Sequence, residues 1–430
     1  MSKNIHVTPL AQRVHQADAG RFRVLALPTP IDRVVSFEAS FRTAPDFASG
    51  EEIAQQLVVN LLDKGTQKRD RFELAEALDD RGARLHFSAD GIRCSFSGRC
   101  LREDLPDVLG LAAEMLRQPV FDDEEFAKAK SQQIASVRRI MDDTGSQAHG
   151  LLARRMYEEA HPNYRPTAED DLQKLEQLTA ADIRRYHADH FGARDAVITA
   201  VGDLDPAEAE AMIGEVLGDW RQPGAAGSFT TEATPLAAGR EQMDMPDRQN
   251  LDVRIGQPLR IRRDSDDYLA LYAAVYVLGG NFAARLMSTV RDEQGLTYGI
   301  GARLAGVSVE HDAYFLTSVT LSGDKLEEGI DATMAQIRRF ADEGITQEEL
   351  EEKQTTLTGS FKVGMATTRG LAGALLSNAE REFPVDYLDR FPALIEALTV
   401  QGCNEAVRQH IDASDMHIAI AGTLPGELGT

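Results

Sequence analysis

Apolar and polar residues recur along this 430-residue chain with two periods. A period of two predicts strands. The run Val34-Val35-Ser36-Phe37-Glu38-Ala39-Ser40-Phe41 alternates as a half-buried antiparallel strand should, and residues 22–27 and 92–97 read as further strands. A period near 3.6 predicts helices over residues 51–62, 70–81, 105–117 and 123–140. Strands come in groups, each followed by a group of helices. That order predicts an α+β unit in which helices pack on a mostly antiparallel sheet.

The pattern occurs twice. Leu178-Thr179, His190, Ala193, Asp195, Ile198, Gly202 and Leu204 return 220 positions later as Leu398-Thr399, His410, Ala413, Asp415, Ile418, Gly422 and Leu424. Each copy runs from a helix through a polar turn into an apolar strand, at residues 196–202 and 416–422. A second match pairs Phe121-Asp122-Asp123-Glu124-Glu125-Phe126 with Ile345-Thr346-Gln347-Glu348-Glu349-Leu350. Both open a long helix with a capping side chain and acids in the first turn. Two copies are too few for a solenoid. The expectation is a duplicated α+β domain, residues 1–221 and 241–430, joined by a Gly/Pro and small-residue linker over 222–240.

Composition narrows the class. The chain is 43% hydrophobic and 27% charged, and it has no apolar run of about 18 residues, so no transmembrane helix is expected. A net charge of −23 disfavours nucleic acid and would draw in basic peptides or a basic partner. The start, Met1 to His6, has no apolar core with a cleavage site. The expected location is cytoplasmic, or periplasmic if a signal peptide was removed. Cys94, Cys100 and Cys403 lack metal-binding spacing and read as plain thiols. His187 and His190 share a helix, three apart, and are not expected to hold a metal.

Chemistry concentrates in two places. The helix from Glu51 ends in Gln56-Leu57-Val58-Val59-Asn60-Leu61-Leu62-Asp63-Lys64-Gly65-Thr66. This resembles the active-site helix of the pitrilysin/insulinase-type zinc peptidases, the inverzincins that include the mitochondrial processing peptidase. Their H-x-x-E-H places two histidines on one helix face to hold Zn²⁺, with a glutamate beside them to deprotonate the metal-bound water. Anchored on Leu62, Lys64, Gly65 and Thr66, the histidine positions fall on Gln56 and Asn60 and the glutamate position on Val59. The third ligand position falls near Ala148 or His149, and no Asp or Glu lies between Thr144 and Tyr157. An amide is a poor zinc ligand beside imidazole, and valine accepts no proton. The expectation is no catalytic metal in this chain.

The second place is Leu278-Gly279-Gly280-Asn281-Phe282-Ala283-Ala284-Arg285-Leu286, then Val290-Arg291-Asp292-Glu293-Gln294-Gly295-Leu296-Thr297-Tyr298. It resembles the same family's G-G-x-x-x-S-R-L and R-E-x-x-G-L-x-Y, with Ala284 for serine and Asp292 for glutamate. In that family the Arg/Tyr pair holds substrate carbonyls near the scissile bond. A guanidinium and a phenol can both donate to a carbonyl and to the oxyanion it becomes. The resemblance implies a non-catalytic, substrate-positioning subunit using Arg291 and Tyr298. A homologous H-x-x-E-H partner would supply zinc and general base, and the heterodimer would close around unfolded peptides. The alternatives are an architectural subunit, like the core proteins of the bc₁ complex, or a peptide-binding module that never cuts.

Overall fold

A computed structural model describes residues 8–43, 45–224 and 227–425. The start of the chain read above, and Ala225 and Ala226 of the linker, lie outside the described residues. The fold is α+β, with helices packed on two mixed sheets that are mostly antiparallel.

The chain forms two compact units, and neither is one continuous stretch. The first comprises Met1–Ile134, Gln173–Ser228 and Ser360–Pro392; the second comprises Ala135–Leu172, Phe229–Gly359 and Ala393–Thr430. The first sheet contains β1 (His15–Ala19), β2 (Phe22–Pro28), β3 (Val34–Arg42), β4 (Arg84–Ala89), β5 (Arg93–Leu101) and β6 (Ala196–Gly202), in the order β1-β2-β6-β3-β5-β4. Only β2 and β6 run parallel. The second sheet contains β7 (Arg240–Asp244), β8 (Asn250–Pro258), β9 (Ile300–Ala305), β10 (Tyr314–Ser322) and β11 (His417–Gly422), in the order β7-β11-β8-β10-β9. Its one parallel pair is β7 with β11. The second sheet therefore repeats the first without β1.

The repeat extends to atomic detail. Thr179 and Thr399 cap the helices Ala180–His190 and Val400–His410. Each hydroxyl accepts from a first-turn N–H that would otherwise lack a partner. Gly202 and Gly422 end their strands at φ 150° and 145°. A Cβ there would come within 2.1 Å of the Val34 carbonyl oxygen or 2.8 Å of that of Asn250. Only glycine fits both demands. His190 lies 3.6 Å from Glu51 at the start of one helix, and His410 bonds Asp267, which precedes another. The duplicated histidine is thus a tie between helix ends.

β3 departs from the half-buried strand that its alternation predicts. It is central, and both faces are largely covered. On one face Phe37 and Phe41 enter the core. On the other, Ser36 and Ser40 are buried beneath the helix Thr368–Glu380, which comes from the far half of the chain. Ser36 and Thr368 share a 2.8 Å hydrogen bond, and the Thr199 hydroxyl donates to the Ala372 carbonyl at 2.9 Å. Small hydroxyls let the helix approach closely while those of Ser36, Thr199 and Thr368 keep partners. The helix Thr144–Met156, from the near half of the chain, covers the second sheet in the same manner, with Leu151, Leu152 and Met156 packed against Leu316 and Ala419. Among the described residues, no helix is long and apolar enough to cross a membrane.

Candidate functional site

Gln56, Val59 and Asn60 lie on the helix Glu51–Leu61 of the first unit. It starts after Gly50, whose φ of 77° suits glycine, and Glu51 and Glu52 complement the positive helix end. Gln56 is half-buried and Asn60 exposed, and neither side chain has a hydrogen-bond partner among the described residues. Val59 is buried, 5% exposed. The three positions stand at i, i+3 and i+4 on one helix, and Val59 belongs to the apolar packing.

At the third position, Ala148 is fully buried in the helix Thr144–Met156 of the second unit. His149 next to it shares a 3.0 Å hydrogen bond with the Tyr314 hydroxyl. Burial, reinforced by Arg165, Arg254 and Arg303, pushes its imidazole down to about 4, so it is neutral at pH 7. Among the described residues no group of three or more His, Cys, Asp or Glu could hold a metal ion. His187 and His190 are occupied otherwise. The former bonds the Leu116 carbonyl at 2.9 Å, and the latter bonds the Thr43 carbonyl at 3.2 Å while stacking on Tyr186. The three thiols are free and buried, with Cys100 pushed up to about 12 and Cys403 to about 11 by burial.

Arg291 and Tyr298 belong to the second unit, seven residues apart on either side of a turn at Gly295, φ 63°. Arg291 sits on a π-helical segment, Met287–Glu293. The cause is local. The Arg285 carbonyl accepts from the Ser288 and Thr289 hydroxyls at 3.0 and 2.7 Å, in competition with the backbone ladder. Further on, the Gln294 N–H reaches back five residues to Thr289. Such widened turns recur at functional sites.

The segment is anchored from below. Arg285 makes a two-pronged ion pair with Glu349, at 3.0 and 2.8 Å, and donates to the Gly344 carbonyl. The buried Lys353 ammonium donates to the Ala283 carbonyl at 2.9 Å and also meets Glu352. Beyond the turn, the buried Thr297 hydroxyl donates to Thr320 at 2.6 Å and accepts from the Gly299 N–H at 3.1 Å. With Thr297 fixed inward, Tyr298 points out and is 96% exposed. Among the described residues Arg291, partly exposed, pairs with its neighbour Asp292 at 3.2 Å, where an ion pair contributes little. The segment thus offers a phenol and a guanidinium that the fold itself does not need.

Comparison with known proteins identifies the family. A family model described as "Insulinase (Peptidase family M16)" matches residues 55–166, and one described as "Peptidase M16 inactive domain" matches residues 177–357. The chain belongs to the insulinase family of peptidases. Within the M16 family its matches, one to an inactive domain and one to a non-peptidase homolog, are those of a non-catalytic member. An uncharacterized zinc protease of Streptomyces coelicolor is 25% identical over 74% of this chain and 69% of its own length. The non-peptidase homolog YmxG of Helicobacter pylori is 20% identical over 85% of this chain and 83% of its own. A solved M16 inactive domain from Pseudomonas fluorescens superposes with a TM-score of 0.86 at 24% identity, covering 96% of this chain and 98% of that one.

A basic cluster on the first sheet was not anticipated. Arg84 and Arg99 lie 15 positions apart and meet only through strand register. The alternation of Arg84, His86 and Ser88 on a strand is the one sequence signal that could have pointed to it.

Proposed function

We propose that this M16 family member is the substrate-positioning subunit of a two-chain zinc peptidase. The carrying observation is the 96% exposed Tyr298, held outward by Thr297 beside a lightly paired Arg291. Burial would be expected of a tyrosine kept for packing, since its ring holds a large apolar area. In this role the two donors hold the carbonyl of a bound peptide and stabilise its developing oxyanion. A homologous chain with an intact H-x-x-E-H would contribute the zinc, the water and the base. Substrate would lie extended, as a strand added to a sheet edge.

A purely architectural subunit has no use for an exposed phenol on an anchored loop, and that favours the positioning role. The test is reconstitution. The isolated chain should show no hydrolysis of an unfolded peptide and no stoichiometric zinc by metal analysis. Adding the H-x-x-E-H homologue from the same source should give activity that neither chain has alone. One zinc per isolated chain, or full activity of the homologue without this chain, would sink the reading.

A further inference from the structure

The first unit has a cavity of about 890 Å³ on the polar face of its sheet, at the strands β3, β5 and β4 and the start of the helix Thr368–Glu380. That volume is in the range of sites that enclose a sizeable organic ligand. Strand register sets its chemistry. Ser36, Arg99 and Arg84 form one row across the three strands, and Glu38, Ser97 and His86 form the next. Side chains directly opposite in an antiparallel pair have Cβ atoms about 5 Å apart, where like charges repel. Two arginines therefore face each other, and neither has a carboxylate partner among the described residues.

A third guanidinium, Arg369, enters from the helix and lies 3.5 Å from Glu38. Burial pushes the Glu38 carboxyl up, which weakens it as a counter-charge. The cavity is thus a concentration of positive charge in a chain of net charge −23. Thr29, on the wall, has a buried hydroxyl with no hydrogen-bond partner. Pro30, Ile31 and Leu371 give the same cavity an apolar side.

We propose that this cavity binds the C-terminal end of a peptide, with the α-carboxylate on Arg84 and Arg99 and the last side chain against Pro30, Ile31 and Leu371. A guanidinium pair matches the two oxygens of a carboxylate, and the bound anion removes the repulsion between the arginines. An apolar wall beside the charges suits a terminal residue, whose carboxylate and side chain leave the same carbon. Charge complementarity selects the free acid over the amide. The choice of a peptide rests on the positioning role proposed above; the anion site itself rests on the arginine row.

The experiment uses the full chain and an N-terminally fluorescein-labelled unfolded peptide that ends in leucine and contains no Asp or Glu. Binding is followed by anisotropy at low ionic strength, where exposed charges are least screened. The free acid should bind about tenfold or more tightly than the C-terminal amide, the scale of a charge-assisted pair. Arg84→Gln or Arg99→Gln should abolish the difference, and Arg84→Lys should restore part of it. Both arginines are exposed, so the variants should fold, as circular dichroism will check. Arg339→Gln, a change at an exposed arginine of the second unit outside both sites, should leave the acid–amide difference intact. Equal affinity for acid and amide, no measurable affinity for either, or a difference that survives Arg84→Gln/Arg99→Gln overturns the proposal. The positioning role is judged separately, by turnover of the reconstituted pair.

Discussion

Two motif-like segments of this chain differ in what is buried and what is exposed. On the helix Glu51–Leu61 the central position is Val59, buried with Leu57, Val58 and Leu61 in the apolar packing of the first unit. On the segment from Gly280 to Tyr298, the side chains that could act are exposed, while those that hold them, Arg285, Thr297 and Lys353, are buried or nearly so. On the first, packing fills the central position; on the second, it lies in the support beneath the exposed side chains. The contrast is physical, because a buried glutamate needs a partner and a valine needs none.

That comparison makes Val59→Glu the sharpest test of the first region. A carboxylate placed at a 5% exposed position loses its hydration without a metal or cation to replace it. We expect a loss of about 3 kcal/mol or more in urea unfolding, the scale for an unpaired buried charge. A change under about 0.5 kcal/mol would mean that the site still tolerates the catalytic side chain, and the contrast would fail.

In the second region the expected pattern reverses. Tyr298→Phe or Arg291→Ala should lower turnover of the reconstituted pair about 10²-fold, the effect of removing one transition-state donor. The same variants should shift stability by less than about 0.5 kcal/mol, as surface changes do. Lys353→Met should act on both readouts, since it removes the donor to the Ala283 carbonyl that holds the loop. Unchanged kinetics in Tyr298→Phe and Arg291→Ala would demote the pair to ornament.

The two units should also part company in acid. Burial depresses His149 to about 4 and His161 to about 3 in the second unit, and lowers His311 and His417 as well. A histidine buried as the neutral form binds its proton more readily when unfolded. Its contribution is therefore complete above the unfolded value, near 6.5, and is lost as pH falls towards the folded value. The first unit has one such imidazole, His187 at about 4, and three carboxyls raised by burial, Glu38, Asp90 and Glu380. The cost of those carboxyls is relieved on acidification; the second unit has one counterpart, Asp312. Between pH 6.5 and 5 the second unit should lose up to about 1.4 kcal/mol per pH unit for each histidine that must charge. Hydrogen exchange corrected for intrinsic rates should show protection falling first in the second unit. Equal losses in both units would remove the distinction.

Much of this was legible beforehand, and for identifiable reasons. The helix starting at Glu51 and the strands β3 and β6 follow from short-range periodicity. The duplication is visible because Thr179, His190 and Gly202 have local duties that their later copies share. That Gln56, Val59 and Asn60 share one helix needs only i, i+3 and i+4 spacing. What sequence does not reveal is anything set by register or by chain exchange. Nothing near Ser36 and Ser40 tells that a helix from residues 368–380 will cover them. The row of Ser36, Arg99 and Arg84 needs two strand pairings at once before it exists.

The smallest expected effect comes from restoring only the two histidine positions. In Gln56→His/Asn60→His the new imidazoles would stand on one face of the helix Glu51–Leu61, one half-buried and one exposed. Neither replaces a side chain with a hydrogen-bond partner, so stability should change by less than about 0.5 kcal/mol. Two nitrogen ligands leave a tetrahedral ion half-supplied, and the helix itself brings no third. Zinc added to the variant should therefore raise its thermal midpoint no more than it raises that of the unchanged chain. A clear zinc-dependent rise would show that other side chains complete the site, and the helix would then be one substitution step from a metal centre rather than a packed remnant. The loop around Tyr298 would in that case have a catalytic partner within its own chain, and the division of labour between two subunits would lose its rationale.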